Sequence, residues 1–383
     1  MSGPLDGVTV IEVGGIGPGP FAGMILADMG ATVIRVDRPG ASLPLPLPVE
    51  KDLSNRGKRM VALDLKRPEA IETLLTLVGR ADILIEGYRP GVAERLGFGP
   101  EVCHARNPRL VFGRMTGWGQ TGPWASAAGH DVNYVAITGA LHALGEAGGP
   151  PAIPLNLVGD YAGGSSYLVM GVLAALWEAG RTGRGQVIDA AIVDGVSHLM
   201  SGTWSFLNAG IWRDERGVNL IDGGAPFYDV YATSDGRHLA VGPIEPAFWT
   251  EMLRLLEIAE PLPRQDPARW PEVRAILADA FARRTLEEWT DVFAGSDACV
   301  SPVVSLREAP RHPHLAARGT LREVDGEIVP APAPRFSGHP LASVASPAPV
   351  GAHTTEVLRG LGLDVEALLA SGTAFQAEPV ATE

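Results

Sequence analysis

Two side chains in the middle of the chain are suited to moving a proton. His130 lies in Gly129-His130-Asp131, and Asp160 lies in Pro154-Leu155-Asn156-Leu157-Val158-Gly159-Asp160-Tyr161-Ala162-Gly163-Gly164. A histidine and a carboxylic acid can share the work of inverting a weakly acidic stereocentre. One removes the proton, the other returns it on the opposite face, and hydrogen-bond donors between them hold the enolate oxygen. On these short strings alone a plainer alternative stays open, in which His130 caps the helix that follows it and Asp160 caps a loop.

The elements that must position these groups are legible from periodicity. Residues 8–13 read as a strand, 21–29 as a helix and 31–36 as the next strand, with further strands at 82–86 and 109–113. This alternation is that of a βαβ layer with a mainly parallel sheet. Residues 131–141 read as a helix whose first turn carries the Asp131 amide, where the partial positive charge of a helix start would stabilise an oxyanion. Ser165-Ser166 reads as the cap of a nearly all-apolar helix over 167–179, which is expected to be buried and to hold the Asp160 loop. Residues 186–192 read as a strand.

A second region begins near Ala225. Segments 227–233 and 238–242 flank Ser234-Asp235-Gly236-Arg237, a hairpin signal. Ile244-Glu245-Pro246 closes it, and helices follow around 248–256, 270–282 and 286–295. The expected organisation is a large α/β domain over 1–200, a linker over 201–224, a small α+β domain over 225–318 and a C-terminal segment over 319–383. That last segment contains a proline-rich stretch over 330–349 and a helix over 354–361, and it is expected to return to the large domain. Leu43-Pro44-Leu45-Pro46-Leu47-Pro48 lacks backbone donors at three positions and reads as a loop or sheet-edge segment.

Composition narrows the function classes. The net charge of −13 argues against nucleic-acid binding, which requires a basic surface. The charge is unevenly spread: residues 35–95 hold eleven of the 31 Lys and Arg against nine acids, so this stretch is +2 and the remainder −15. A basic island in an acidic chain suits a small polyanion such as a nucleotide or coenzyme A, although solvated surface charge would give the same composition. The apolar run from Tyr167 to Trp177 is too short to cross a bilayer, and no signal segment opens the chain, so a cytoplasmic protein without a membrane segment is expected. Cys103 and Cys299 show neither metal-ligand nor disulfide spacing, and both are expected to be buried; no metal site is expected. The glycines from Gly14 to Gly19 and the later Asp37 fail as a nicotinamide fingerprint. A third small residue is replaced by Pro20, Pro18 removes an amide, and Arg38 points to phosphate instead.

Five strings spread over nearly the whole chain then combine: Gly14-Gly15-Ile16-Gly17-Pro18-Gly19-Pro20, Glu86-Gly87-Tyr88-Arg89-Pro90-Gly91, Gly117-Trp118-Gly119-Gln120, Gly129-His130-Asp131-Val132-Asn133-Tyr134 and the Asp160 segment. Together they resemble the family III coenzyme A transferases. The resemblance implies a large Rossmann-like domain with a parallel sheet, a smaller α+β domain, and an interlocked homodimer whose active sites form between the large domain of one chain and the small domain of the other. It implies His130 and Asp160 as the two bases, with Glu245 of the partner subunit bonded to His130, Asn156 supporting Asp160, and the Asp131 amide receiving the enolate oxygen. For coenzyme A it implies Arg38, the Leu63-Asp64-Leu65-Lys66 segment, Gly87, Tyr88, Arg89 and Arg95, with Gly129 and Tyr134 near the thioester. Arg38, Arg89 and Arg95 fall within the basic island.

Within that family three activities compete. The first is racemisation at the carbon beside a 2-methylacyl-CoA thioester, in lipid metabolism and without a cofactor. The second is coenzyme A transfer between carboxylic acids, with Asp160 as nucleophile. The third is acyl-CoA binding without turnover. His130 and Glu245 favour the first, since a transferase gains nothing evident from a second base. The acyl chain is not specified: Met115, Met170, Trp204 and Phe206 fit a core as well as they fit a chain-binding surface.

Overall fold

The computed structural model describes residues 3–41, 46–259, 261–340 and 345–378. The 43–48 loop expectation therefore falls partly outside the described residues, as does the proline-rich stretch at 341–344. Pro46 to Pro48 are exposed and lie outside any strand.

The chain divides into two compact units. One comprises Met1–Thr138, Leu155–Leu199 and His314–Glu383, and the other Gly139–Pro154 and Met200–Pro313. The first is built on six parallel strands: β1 (Thr9–Val13), β2 (Thr32–Asp37), β3 (Arg59–Leu63), β4 (Ile83–Glu86), β5 (Val111–Thr116) and β6 (Val187–Ala191). A two-residue strand, Ala374–Phe375, pairs antiparallel with β3 at the edge, giving the order Ala374–Phe375, β3, β2, β1, β4, β5, β6. All four residues of β4 are buried, as expected where helices cover both faces of a parallel sheet. Val13, Leu63, Leu84 and Phe112 form part of one core with Leu74, Phe98 and Leu358. Each such side chain contributes roughly 1.5–3 kcal/mol through its burial.

Four helices of this unit frame the central glycine-rich segments: α1 (Pro18–Asp28), α2 (Asp131–Ile137), α3 (Tyr167–Thr182) and α4 (Ile192–Leu199). Helix α2 stops earlier than expected, at Ile137. Helix α3 buries Leu168, Val169, Val172, Ala175 and Ala179 but exposes Met170 and Trp177, so an all-apolar sequence here does not make an all-buried helix. The Ser165-Ser166 cap is also corrected. These serines end a ten-residue π-helix, Leu157–Ser166, that runs straight into α3. Their hydroxyls bond carbonyls five residues back, Ser165 to Asp160 and Ser166 to Tyr161.

The second unit carries the antiparallel sheet β7 (Asp229–Ala232), β8 (His238–Val241) and β9 (Val300–Pro302). The expected hairpin forms at 233–237. Ile244-Glu245-Pro246 does not close it but leads from β8 into helix α5 (Pro246–Leu255). Its core includes Phe227, Tyr231, Trp249, Phe281 and Trp289. Cys103 is buried, whereas Cys299 is exposed, contrary to expectation, because it occupies the turn before β9 with φ +51°.

Candidate active site

The order β3-β2-β1-β4 places a switch in strand direction of travel between β1 and β4, and in open parallel sheets ligands bind outside the carboxyl ends of strands at that point. Gly14 to Gly17 follow β1 there, and Gly87 to Arg89 follow β4. Gly17 has φ +68°, and a Cβ on it would stand 2.7 Å from Asp160 Oδ2. The first glycine loop thus lies directly against the Asp160 carboxylate, a contact no local pattern revealed.

The Asp160 segment is held by close backbone packing. A Cβ on Gly163 would meet Val196, one on Gly164 would meet Ile192 and Pro18, and one on Gly195 would stand 1.8 Å from the Gly163 carbonyl oxygen. Its glycines serve helix contact rather than phosphate binding. The wide i to i+5 winding is a rare form that concentrates at functional sites. Just before it, Leu155 is exposed at φ +56°, a backbone strain of about 1–2 kcal/mol in a non-glycine residue.

Asp160 is half-buried, and its carboxyl is pushed up to about 6. Burial is the chief cause and the neighbouring Asp131 carboxylate adds to it; the Asn156 side chain and His130 pull the other way. Asn156 Nδ2 donates to Asp160 Oδ2 at 3.5 Å, a long bond. His130 is exposed at the N-terminal boundary of α2, and its backbone N–H donates to Asn133 Oδ1 at 3.0 Å. His130 therefore does have a capping position, but it is the Asn133 side chain that closes the turn. The Asp131 amide heads the first turn of α2, where N–H groups have no preceding carbonyl.

Tyr134 donates its hydroxyl to the Gly129 carbonyl and packs edge-on against Trp118 at 4.7 Å. A Cβ on Gly117 or Gly129 would collide with its ring, which explains both glycines. Tyr134 lies close enough to Arg89 and Asp160 to feel both charges. Thus His130, Asp131, Asn156, Asp160 and Tyr134 gather in one place.

The basic island resolves into two sets. Arg35, Lys51, Arg56, Lys58, Arg59 and Arg67 are ion-paired, and Arg80 binds the carbonyls of Gly360 and Leu361. Arg38, Lys66, Arg89 and Arg95 are exposed and form no ion pair among the described residues. Arg38 follows β2, Lys66 follows β3, and Arg89 follows β4, while Arg95 ends the short helix Val92–Leu96 and donates to Gly91 O at 3.1 Å. Glu86 orients the β4 loop: it pairs with Arg114 at 3.0 Å and accepts the Tyr88 N–H at 2.7 Å. Gly87 is exposed, and Tyr88 packs edge-on against Phe98.

The Leu63 side chain is fully buried in the core at the end of β3, so only its backbone can face a ligand. Asp64 accepts the Lys66 N–H and pairs with Arg67 at 3.7 Å, and Leu65 packs against the core. Glu245 is in the second unit, exposed at the start of α5, where its charge acts on Arg264 and Cys299. Of the candidate chain-binding residues, Met115 is buried, Met170 and Trp204 are exposed, and Phe206 stacks on Trp212.

Sequence reasoning missed a buried charge network behind the glycine loop. Arg35 pairs with Glu12 and Asp37, each at 2.7 Å, and donates to Gly15 O. Lys58 pairs with Glu12 at 2.6 Å and donates to Pro20 O. Burial lowers the Lys58 ammonium to about 8 despite Glu12. Acids and bases inside strand patterns were the available signal. The network fixes the loop that touches Asp160 at both of its ends.

Among the described residues no cluster has the composition of a metal site, and no helix is long and apolar enough to cross a membrane. A model of CoA-transferase family III matches residues 5–354. The chain is 45% identical over 370 residues to a mouse protein named alpha-methylacyl-CoA racemase, covering 95% of each, and 42% identical over 368 residues to its human namesake, covering 94% of each. A solved CaiB/BaiF family protein from Brucella suis matches with a TM-score of 0.81 at 26% identity, over 94% of this chain and 100% of that one.

Proposed function

The chain belongs to CoA-transferase family III, and from that premise we propose that it is an isomerase inverting the α carbon of 2-methylacyl-CoA thioesters. The observation that carries this reading is the seating of the half-buried Asp160 carboxyl beside the His130 turn, the carboxylate that follows His130 accepting the Asp160 N–H at 2.6 Å; burial there raises the Asp160 carboxyl into the range where it can give and take a proton. One of the pair removes the α proton, and the other delivers a proton to the opposite face. Between these steps the thioester oxygen bears negative charge, and the Asp131 amide is the donor assigned to it. Such preorganised donors are worth about 3–4 kcal/mol in other enzymes. The thioester already acidifies the carbon, so the reaction needs no cofactor.

Coenzyme A binds by its phosphates at Arg38, Lys66, Arg89 and Arg95, the exposed cations of the basic island that pair with no acid among the described residues, with Asp64, Leu65, Gly87, Tyr88 and the Leu63 backbone along its path. Gly129 and Tyr134 face the thioester. The acting unit is a homodimer in which Glu245 of the partner subunit holds the His130 ring in its working tautomer. Light scattering that finds an active monomer would remove that part of the reading.

The decisive experiment incubates one epimer of a 2-methylacyl-CoA with the protein in deuterated water. Uptake of deuterium at the α carbon together with approach to an epimer mixture is expected. No uptake from an acyl-CoA shown to bind would overturn racemisation and turn attention to coenzyme A transfer onto added carboxylates.

A further inference from the structure

The two-base scheme uses only the amide of Asp131, yet the Asp131 carboxylate is the polar group most closely joined to Asp160. Its Oδ1 accepts the Asp160 N–H at 2.6 Å. A Cβ at residue 159 would stand 2.2 Å from that same oxygen, so the glycine is required for the approach. Oδ2 is buried and has no hydrogen-bond partner among the described residues. An unsatisfied buried oxygen costs stability. A side chain whose task was only to cap this turn would do as well as Asn or Ser, without an anion.

We propose that Asp131 is a positioning residue that ties the Asp160 turn to the His130 turn and holds a second carboxylate against Asp160. This rests on the reading of Asp160 as a proton-transfer group. Two neighbouring carboxylates resist ionising together, so the proton stays on Asp160 to higher pH than burial alone would keep it. The other groups facing Asp160 are few. Helix α2 and its cap bring His130 and Tyr134, and Asn156 precedes the π-helix. The glycine loop before α1 brings the Gly17 backbone, α1 brings Phe21 stacked on Tyr161, and α4 brings Ile192 and Val196, none of which is charged.

The test is Asp131→Asn, which keeps the oxygen that accepts the Asp160 N–H and removes the charge. In protein labelled with 13C at the aspartate carboxyl carbon, the Asp160 signal is identified by its absence from Asp160→Asn. Its titration midpoint is expected to fall by about one pH unit in Asp131→Asn. The acid limb of kcat/KM, which is the same for both epimers, is expected to move with it while KM for acyl-CoA stays put. A midpoint that does not move overturns the proposal, and Asp131→Ser supplies the same measurement should the Asn variant fail to fold. If the wild type shows no α-deuterium uptake but the midpoint still falls in Asp131→Asn, the racemase reading fails and the role of Asp131 stands.

Discussion

Gly17→Ala offers a sharp check on the site, because it adds one methyl group at a place where the contact distance is known. The new Cβ would stand 2.7 Å from Asp160 Oδ2, and ordinary contact begins at 3.4 Å, so the carboxylate must recede by about 0.7 Å. A misplacement near 1 Å can reduce turnover about a hundredfold, so a loss between about tenfold and a hundredfold is expected in α-deuterium uptake. The backbone at φ +68° also strains an alanine by about 1–3 kcal/mol, which leaves a typical domain folded. Gly7→Ala separates the two effects, since Gly7 has φ +86° and open space around it. It should lose a similar amount of stability in urea titrations and keep its activity. If Gly17→Ala exchanged deuterium at the wild-type rate, or no more slowly than Gly7→Ala, the placement of Asp160 against the first glycine loop would be wrong.

Four further outcomes are expected. Because the Asp160 carboxyl is raised to about 6, kcat/KM should rise with pH through about 6, and in the same way for both epimers, since the two ionise alike and their equilibrium constant does not vary with pH; a profile flat from pH 5 to 7 would contradict this. Asp160→Ala and His130→Ala should each abolish racemisation while calorimetry still detects coenzyme A binding. Arg38→Gln and Arg89→Gln should each raise KM about tenfold or more with little change in kcat, as expected for the loss of a hydrogen bond between charged groups worth about 1.5–3 kcal/mol. Glu12→Gln should cost about 3–5 kcal/mol in urea unfolding, since it leaves Lys58 buried without its carboxylate partner and weakens the pairing of Arg35.

The Asp160 carboxyl also gives a stability signature. Its folded value lies above that of an unfolded aspartate, so its contribution to folding is complete at low pH and is lost as pH rises towards about 6. The gap in stability between wild type and Asp160→Asn should therefore change over that interval and be constant above it.

What the sequence by itself determined is what local chemistry controls. The strands β1, β2, β4, β5 and β6 follow from runs of apolar and β-branched residues, and the β7–β8 hairpin follows from Asp235-Gly236. His130 at a helix start was also visible, as were the exposed cations after strand ends. The tertiary structure alone decided which cations are free. Arg35 and Lys58 read like Arg38 and Lys66 in sequence, but Glu12 lies 23 and 46 residues away and reaches them only because β1 stands beside β2 and near the start of β3. The winding of the Asp160 segment was hidden for the same reason. Its glycines suggest a loop, and only packing against Pro18, Ile192, Gly195 and Val196 turns them into a π-helix. Met170 shows the converse, a residue of an apolar helix expected to be buried that is left exposed. Local periodicity sets which face of an element is apolar, whereas the proton affinity of Asp160 depends on burial and on Asp131, groups brought together by contacts that the order of residues along the chain does not display.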